Sequence, residues 1–255
     1  MVKATLHLTI NIFFNAIIFG FISSCSFLDK SQEMNIVGYR AERLDSIKNH
    51  YNKVLDSFLI SRKNTGATNS HLLYLNNLIN RKDFFKQLII LDSNDSFYFV
   101  SPDRRLLISS KASKIYFQSE SLLAAFLVEN MVRIERDLYS RKVFYFNYMI
   151  QPEDLVRIMN LSLKQKDVLN NLSVEQLIKI ERSPVAYLNY LQQRNKDGGL
   201  IFNLVNGRVY GLEEERHLKS YLLEQHKKEF INDTGLDISS SKFYLFKKFI
   251  NKVFR

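Results

Sequence analysis

Between Ser119 and Asp137 the chain reads SESLLAAFLVENMVRIERD, and this stretch constrains the fold more than any other. At a helical period, Leu123, Ala124, Leu127, Met131, Ile134 and Leu138 form one apolar stripe. Leu122, Ala125, Phe126 and Val132 cover much of the opposite side. A helix apolar all round belongs at the centre of a domain, with the remaining chain wrapped about it. Yet Glu129, Asn130 and Arg133 sit in its middle. Glu129 and Arg133 are i,i+4 neighbours with the acid first, the favourable order. Either charge alone would be costly in a core, whereas the pair is tolerated. An ion pair inside a core helix is therefore expected.

The chain is long enough to wrap such a helix. At 255 residues and 46% apolar it can bury a substantial core in one globular domain. Three prolines and eight glycines are too few for the many turns of a sandwich or barrel, and favour helices. An amphipathic helix is expected over 39–61, carried by Leu44, Ile47, Tyr51, Val54, Leu55 and Phe58. A loop at 64–70, a helix at 71–79 and a buried strand at 85–91 follow. Pro102-Asp103 splits two apolar runs between Ser96 and Ser110, which predicts a hairpin. Beyond the central helix of 119–140, Pro152 opens a helix towards Leu172. Ser173-Val174-Glu175-Gln176 has capping-box spacing, and Ser183-Pro184 marks another start. Asn206-Gly207 predicts a hairpin over 200–210, before helices at 212–230 and from Ser239 onward. The expected class is α+β, mainly helical, with a small sheet or hairpin beside the buried central helix.

The N-terminal segment points to export. Lys3 precedes the apolar run Leu8–Ile22, which is the length of a signal h-region and short for a transmembrane helix of roughly 20 residues. The run ends in Ile22-Ser23-Ser24-Cys25, which resembles the bacterial lipobox. That resemblance implies a leader over 1–24, diacylglycerol on Cys25, and cleavage just before it. Residues 25–37 then read as a tether and 38–255 as the globular domain. Cys25 is the chain's one cysteine, so no intramolecular disulfide can form. A second acyl chain, such as amide-linked palmitate, would make attachment stable. The expected location is the cell envelope, at the outer membrane or the periplasmic face of the inner one. There the formal net charge, +10 for the whole chain and +9 once Lys3 leaves with the leader (35 basic against 26 acidic side chains), meets phospholipid headgroups and envelope polymers, and nucleic acid is not an expected partner.

The central helix also carries a resemblance. A strand, a hairpin and a short link leading into SExxLAAxL are similar to the zinc metallopeptidases of the CAAX-prenyl-protease type. In that family the helix continues into His-Glu-x-x-His, two imidazoles one turn apart for zinc and a glutamate to activate water. The matching register places Glu129 and Arg133 at the two ligand positions and Asn130 at the general base. A guanidinium cannot ligate a cation, and an amide cannot take a proton. The family's third ligand, a Glu four residues before an Asp, corresponds to Leu163 ahead of Asp167. The resemblance thus implies a degenerate zincin-like core over about 85–172 with no metal, no cofactor and no catalytic residue, and a C-terminal helical part over about 184–255. It also implies a cleft beside the hairpin Phe97–Ile108 for an extended peptide added as a strand.

Two further features compete for a role. Glu213 and His217 stand one turn apart as a metal pair would, although Glu213-Glu214-Glu215-Arg216-His217 also reads as an exposed charged helix face. Near the C-terminus, Phe243, Phe246, Ile250 and Val253, joined by Phe249, form an apolar stripe. Lys242, Lys247, Lys248 and Lys252 surround it. That helix either lies on an anionic bilayer or docks on the core. The expected function is a lipid-anchored, non-catalytic pseudo-peptidase that binds a protein or peptide. The alternatives are a structural helical lipoprotein of unrelated fold and an active metallopeptidase with ligands outside the motif.

Overall fold

The computed structural model describes residues 31–35, 41–60, 62, 64–140, 142–146, 149–197, 199–232 and 239–253. The expected leader, Met1–Ser24, and the lipidation site Cys25 lie outside them.

Six strands are present among the described residues: β1 (Ser31–Asn35), β2 (Asn64–Gly66), β3 (Gln87–Leu91), β4 (Tyr98–Val100), β5 (Arg105–Ser109) and β6 (Lys142–Phe146). β1 and β6 pair antiparallel as a separate ribbon, so part of the expected tether is a strand. The other four form a sheet in the order β2-β3-β5-β4, with β3 and β5 parallel. The aliphatic runs of β3 and β5 are buried almost throughout, as in strands covered on both faces. The hairpin expected at Pro102-Asp103 is β4–β5, closed by Arg104 in the left-handed region at φ 72°. The expected loop at 64–70 instead begins with the exposed edge strand β2.

The helices are α1 (Ala41–Leu59), α2 (Asn69–Leu78), α3 (Ser110–Tyr116), α4 (Glu120–Glu135), α5 (Pro152–Met159), α6 (Leu163–Lys179), α7 (Val185–Asp197), α8 (Gly199–Gln225), α9 (Lys227–Asn232) and α10 (Ser241–Val253). The chain is thus α+β and mainly helical. α4 is the central helix, capped by Ser119 Oγ accepting from Leu122 N. Every residue from Leu123 to Ile134 is buried. α6 and α7 pack against it and each other, and α8 packs on α6 and α7.

Three sequence-based expectations fail for physical reasons. The helix expected from Pro152 to Leu172 breaks at Asn160–Ser162, because Ser162 and Gln165 form a reciprocal capping box there. The same Ser-x-x-Gln spacing at Ser173 lies inside α6. Ser173 is fully buried between Leu169 and Leu177, and its hydroxyl donates to Leu169 O at 2.7 Å. The hairpin expected over 200–210 is absent, since α8 runs straight through Asn206-Gly207.

Candidate functional site

The Glu129–Arg133 pair exists, but it is one edge of a larger buried network. Glu129 is 0% exposed and receives four groups. Its Oε1 accepts from Tyr98 Oη at 3.1 Å and lies 3.5 Å from Arg133 Nη2. Its Oε2 lies 3.2 Å from Arg194 Nη1 and 3.3 Å from the Tyr187 hydroxyl. Arg194 reaches onward with Nη2 to Glu214 Oε1 at 2.6 Å. Asn170 Nδ2 donates to the same oxygen at 3.0 Å, while Lys166 Nζ stands 3.7 Å from Glu214 Oε2.

Four elements besides α4 supply these groups: β4 gives Tyr98, α6 gives Lys166 and Asn170, α7 gives Tyr187 and Arg194, and α8 gives Glu214. Gly211 helps α8 approach α7, because a Cβ there would lie 3.0 Å from the Asn195 side chain. Asn195 Nδ2 fastens the contact by donating to Gly211 O at 3.1 Å and to Glu215 Oε1 at 2.8 Å.

The electrostatics follow from burial and pairing. Burial opposes the charge on Arg194, yet Glu214 and Glu129 raise its pKa well above the ordinary value. Burial likewise pushes the Glu214 carboxyl up, but Arg194 and Lys166 outweigh it and hold the group below its usual range. For Lys166 burial wins over Glu214, and its pKa is lowered. Burial, then the Glu129 charge, pushes the Tyr98 hydroxyl up to about 12. Tyr187 and Tyr190 are raised for the same two reasons.

Beside the network lies a cavity of about 30 Å³, walled by Arg133, Lys166, Arg194 and Glu214 with Tyr98 and Met159. Arg133 also donates from Nη1 to Met159 O at 3.0 Å, and Tyr51 Oη donates to Ile158 O at 2.6 Å. These two bonds tie the end of α5 to α4 and α1, and the helix also contacts β4. Val100 N–H points its hydrogen at Met159 Sδ, 3.4 Å away. The expected peptide cleft along the hairpin is therefore corrected: α5 occupies the free edge of β4.

The other expected site positions are scattered. Asn130 is buried but turns back along its helix, donating to Phe126 O at 2.8 Å. Leu163 is the half-buried first residue of α6. Asp167 faces His217, with Nδ1 3.1 Å from each carboxylate oxygen. Glu213 and His217 acquire no third ligand, and among the described residues no three of His, Cys, Asp and Glu converge as a metal site would require.

The run Glu213–His217 is also not a wholly exposed face, since Glu214 is 1% exposed. Of the two readings of the C-terminal stripe, docking on the core is the one observed. Phe243, Phe246 and Ile250 are buried in the core, Phe246 lying 5.6 Å from the rings of both Phe117 and Tyr74. Phe249 stacks on His71 at 4.0 Å. Lys247 reaches back to Gln118 O, and Ser240 donates to Glu120 at the start of α4. The Val253 side chain lies outside the described residues. What α10 turns outward is Tyr244 and Leu245, 63% and 67% exposed, among Lys242, Lys248 and Lys252.

Sequence reasoning missed Arg194, Glu214, Lys166 and the tyrosines. The chain matches no protein-family model, and no curated protein matches it in sequence.

Proposed function

We propose that this protein is a lipid-anchored envelope protein with a degenerate zincin-like domain, acting by binding and not by catalysis. The observation that carries the reading is the network at Glu129. The two positions where the resemblance would put zinc ligands hold a carboxylate committed to two arginines and a guanidinium committed to a carboxylate and a carbonyl. No donor there is free for a cation, and Asn130 faces its own helix. The arrangement of α4 supports the same reading: it packs against α6, and its Phe126 and Glu129 meet Tyr98 of the hairpin. With the β4 edge covered, the exposed edge of β2 is the place for a peptide partner to add a strand.

Anchoring rests on the Ile22-Ser23-Ser24-Cys25 motif. Among the described residues no helix is long and apolar enough to cross a membrane. A second contact with an anionic leaflet would use the outward face of α10, where an exposed Tyr244 and Leu245 are flanked by lysines.

The purified full chain is expected to hold no stoichiometric zinc and to leave casein uncleaved. One equivalent of zinc, lost on Glu129→Ala, would refute the pseudo-peptidase reading. Labelling by a fatty-acid analogue should disappear in Cys25→Ala, and unchanged labelling would refute the anchor.

A further inference from the structure

The charges around the cavity do not balance. Arg133, Lys166 and Arg194 face it, and the carboxylates in contact with them are Glu129 and Glu214. The remaining lining residues are uncharged. The three cationic side chains keep only 7%, 12% and 8% of their surface, so solvent screens the surplus poorly. An uncompensated positive charge in such a place is costly. The shortfall falls on Lys166. Glu129 is committed to Arg133 and Arg194, and Glu214 holds Arg194 at 2.6 Å and Asn170 at 3.0 Å. Lys166 is left with a contact of 3.7 Å.

The cavity's size selects what can correct this. Its 30 Å³ exceeds the roughly 10–15 Å³ that one water requires, which leaves room for an ion little larger than water. We propose that the cavity is a binding site for one halide-sized monovalent anion, chloride being the available one, held between Lys166 and the two arginines. The anion neutralises the surplus without disturbing either carboxylate. Loss of the Lys166 proton is the competing way to remove the same charge, and burial favours it. Arg133, Arg194, Glu129 and Glu214 are the charged groups that bear on that proton. Anion uptake is therefore tied to protonated Lys166 and strengthens towards acid pH. This inference stands whether or not the peptidase resemblance is real.

The test is thermal unfolding of the full chain at mildly acid pH, in sodium chloride or bromide against sodium gluconate at equal ionic strength. The midpoint should be higher in either halide and rise with its concentration. Lys166→Met should abolish the difference, and Lys166→Arg should retain it. A crystal soaked in bromide should show an anomalous peak beside Lys166. Equal midpoints in halide and gluconate overturn the proposal, as does a halide effect that survives in Lys166→Met. Should Lys166→Met fail to fold, the wild-type bromide crystal decides, and a cavity without bromide overturns it.

Discussion

A charge placed in an apolar register is the residue-scale signal that explains this site. Arg194 continues the face of Tyr187, Tyr190 and Leu191, and Glu214 begins the face of Leu218 and Leu222, all of them buried. Each lies where a helical period places an apolar side chain, a signal that outweighs the exposed face expected for Glu213–His217. That they meet Glu129 was not legible, because it depends on how three helices pack. The consequence is unequal sensitivity along one turn of α4. Glu129→Gln leaves Arg133 and Arg194 with one buried carboxylate between them and should cost about 3–5 kcal/mol. Asn130→Ala gives up one bond to Phe126 O but also removes a buried Oδ1 that has no partner, so its cost should stay near 1 kcal/mol. Urea unfolding of both variants measures the contrast. Equal losses would mean that the network contributes nothing special.

At the scale of elements, local chemistry identified helices well and their ends less well. Apolar periodicity located α1, α4 and α10, and Pro102-Asp103 located the β4–β5 turn. The two Ser-x-x-Gln boxes were chemically equivalent, and burial of Ser173 decided between them. Asn206-Gly207 misled because its turn preference is weaker than the continuity of a 27-residue helix. For α10 the sequence offered two partners for one stripe, membrane or core, and the core took it. The two faces of that helix should now separate in experiment. Phe246→Ala, a fully buried ring, should lower stability by about 3–5 kcal/mol. Tyr244→Ser with Leu245→Ser should leave stability unchanged. In a Cys25→Ala background that pair should weaken cosedimentation with phosphatidylglycerol vesicles and not with phosphatidylcholine ones. Undiminished binding would dismiss this face as a membrane contact.

For the whole molecule, the network sets a stability profile bounded at both ends of the pH scale. Glu214 has its pKa lowered by Arg194 and Lys166 against burial, so the stability it contributes is present above the ordinary value of 4.5. It is lost as pH falls through the lowered pKa. Lys166, also lowered, acts with the same sign: the unfolded chain binds more protons, and stability rises as pH passes its folded value. Tyr98 is raised from 10.0 to about 12, so the folded state binds more protons in that interval and stability falls as pH rises through it. Urea midpoints measured across pH should therefore form a dome, with tyrosinate absorbance on the alkaline limb rising together with unfolding. A flat profile would show that these groups are not buried in solution. The α+β class and the central place of α4 were legible from composition and from one helix. The order β2-β3-β5-β4 and the ribbon of β1 with β6 were not, since pairing between distant strands leaves no local trace.

The span of the Glu129 network has a kinetic consequence. Glu129 meets Tyr98 31 positions earlier and Arg194 65 positions later, and Arg194 in turn needs Glu214. Until α7 and α8 arrive, closing the core around α4 would leave Glu129 with Arg133 and Tyr98 but without Arg194 and Tyr187, its Oε2 unsatisfied away from water. The network around the central helix is therefore completed only once the C-terminal half has docked. A chain built this way closes from its far end, so a truncation before α8 should leave α4 open to protease while the full chain protects it.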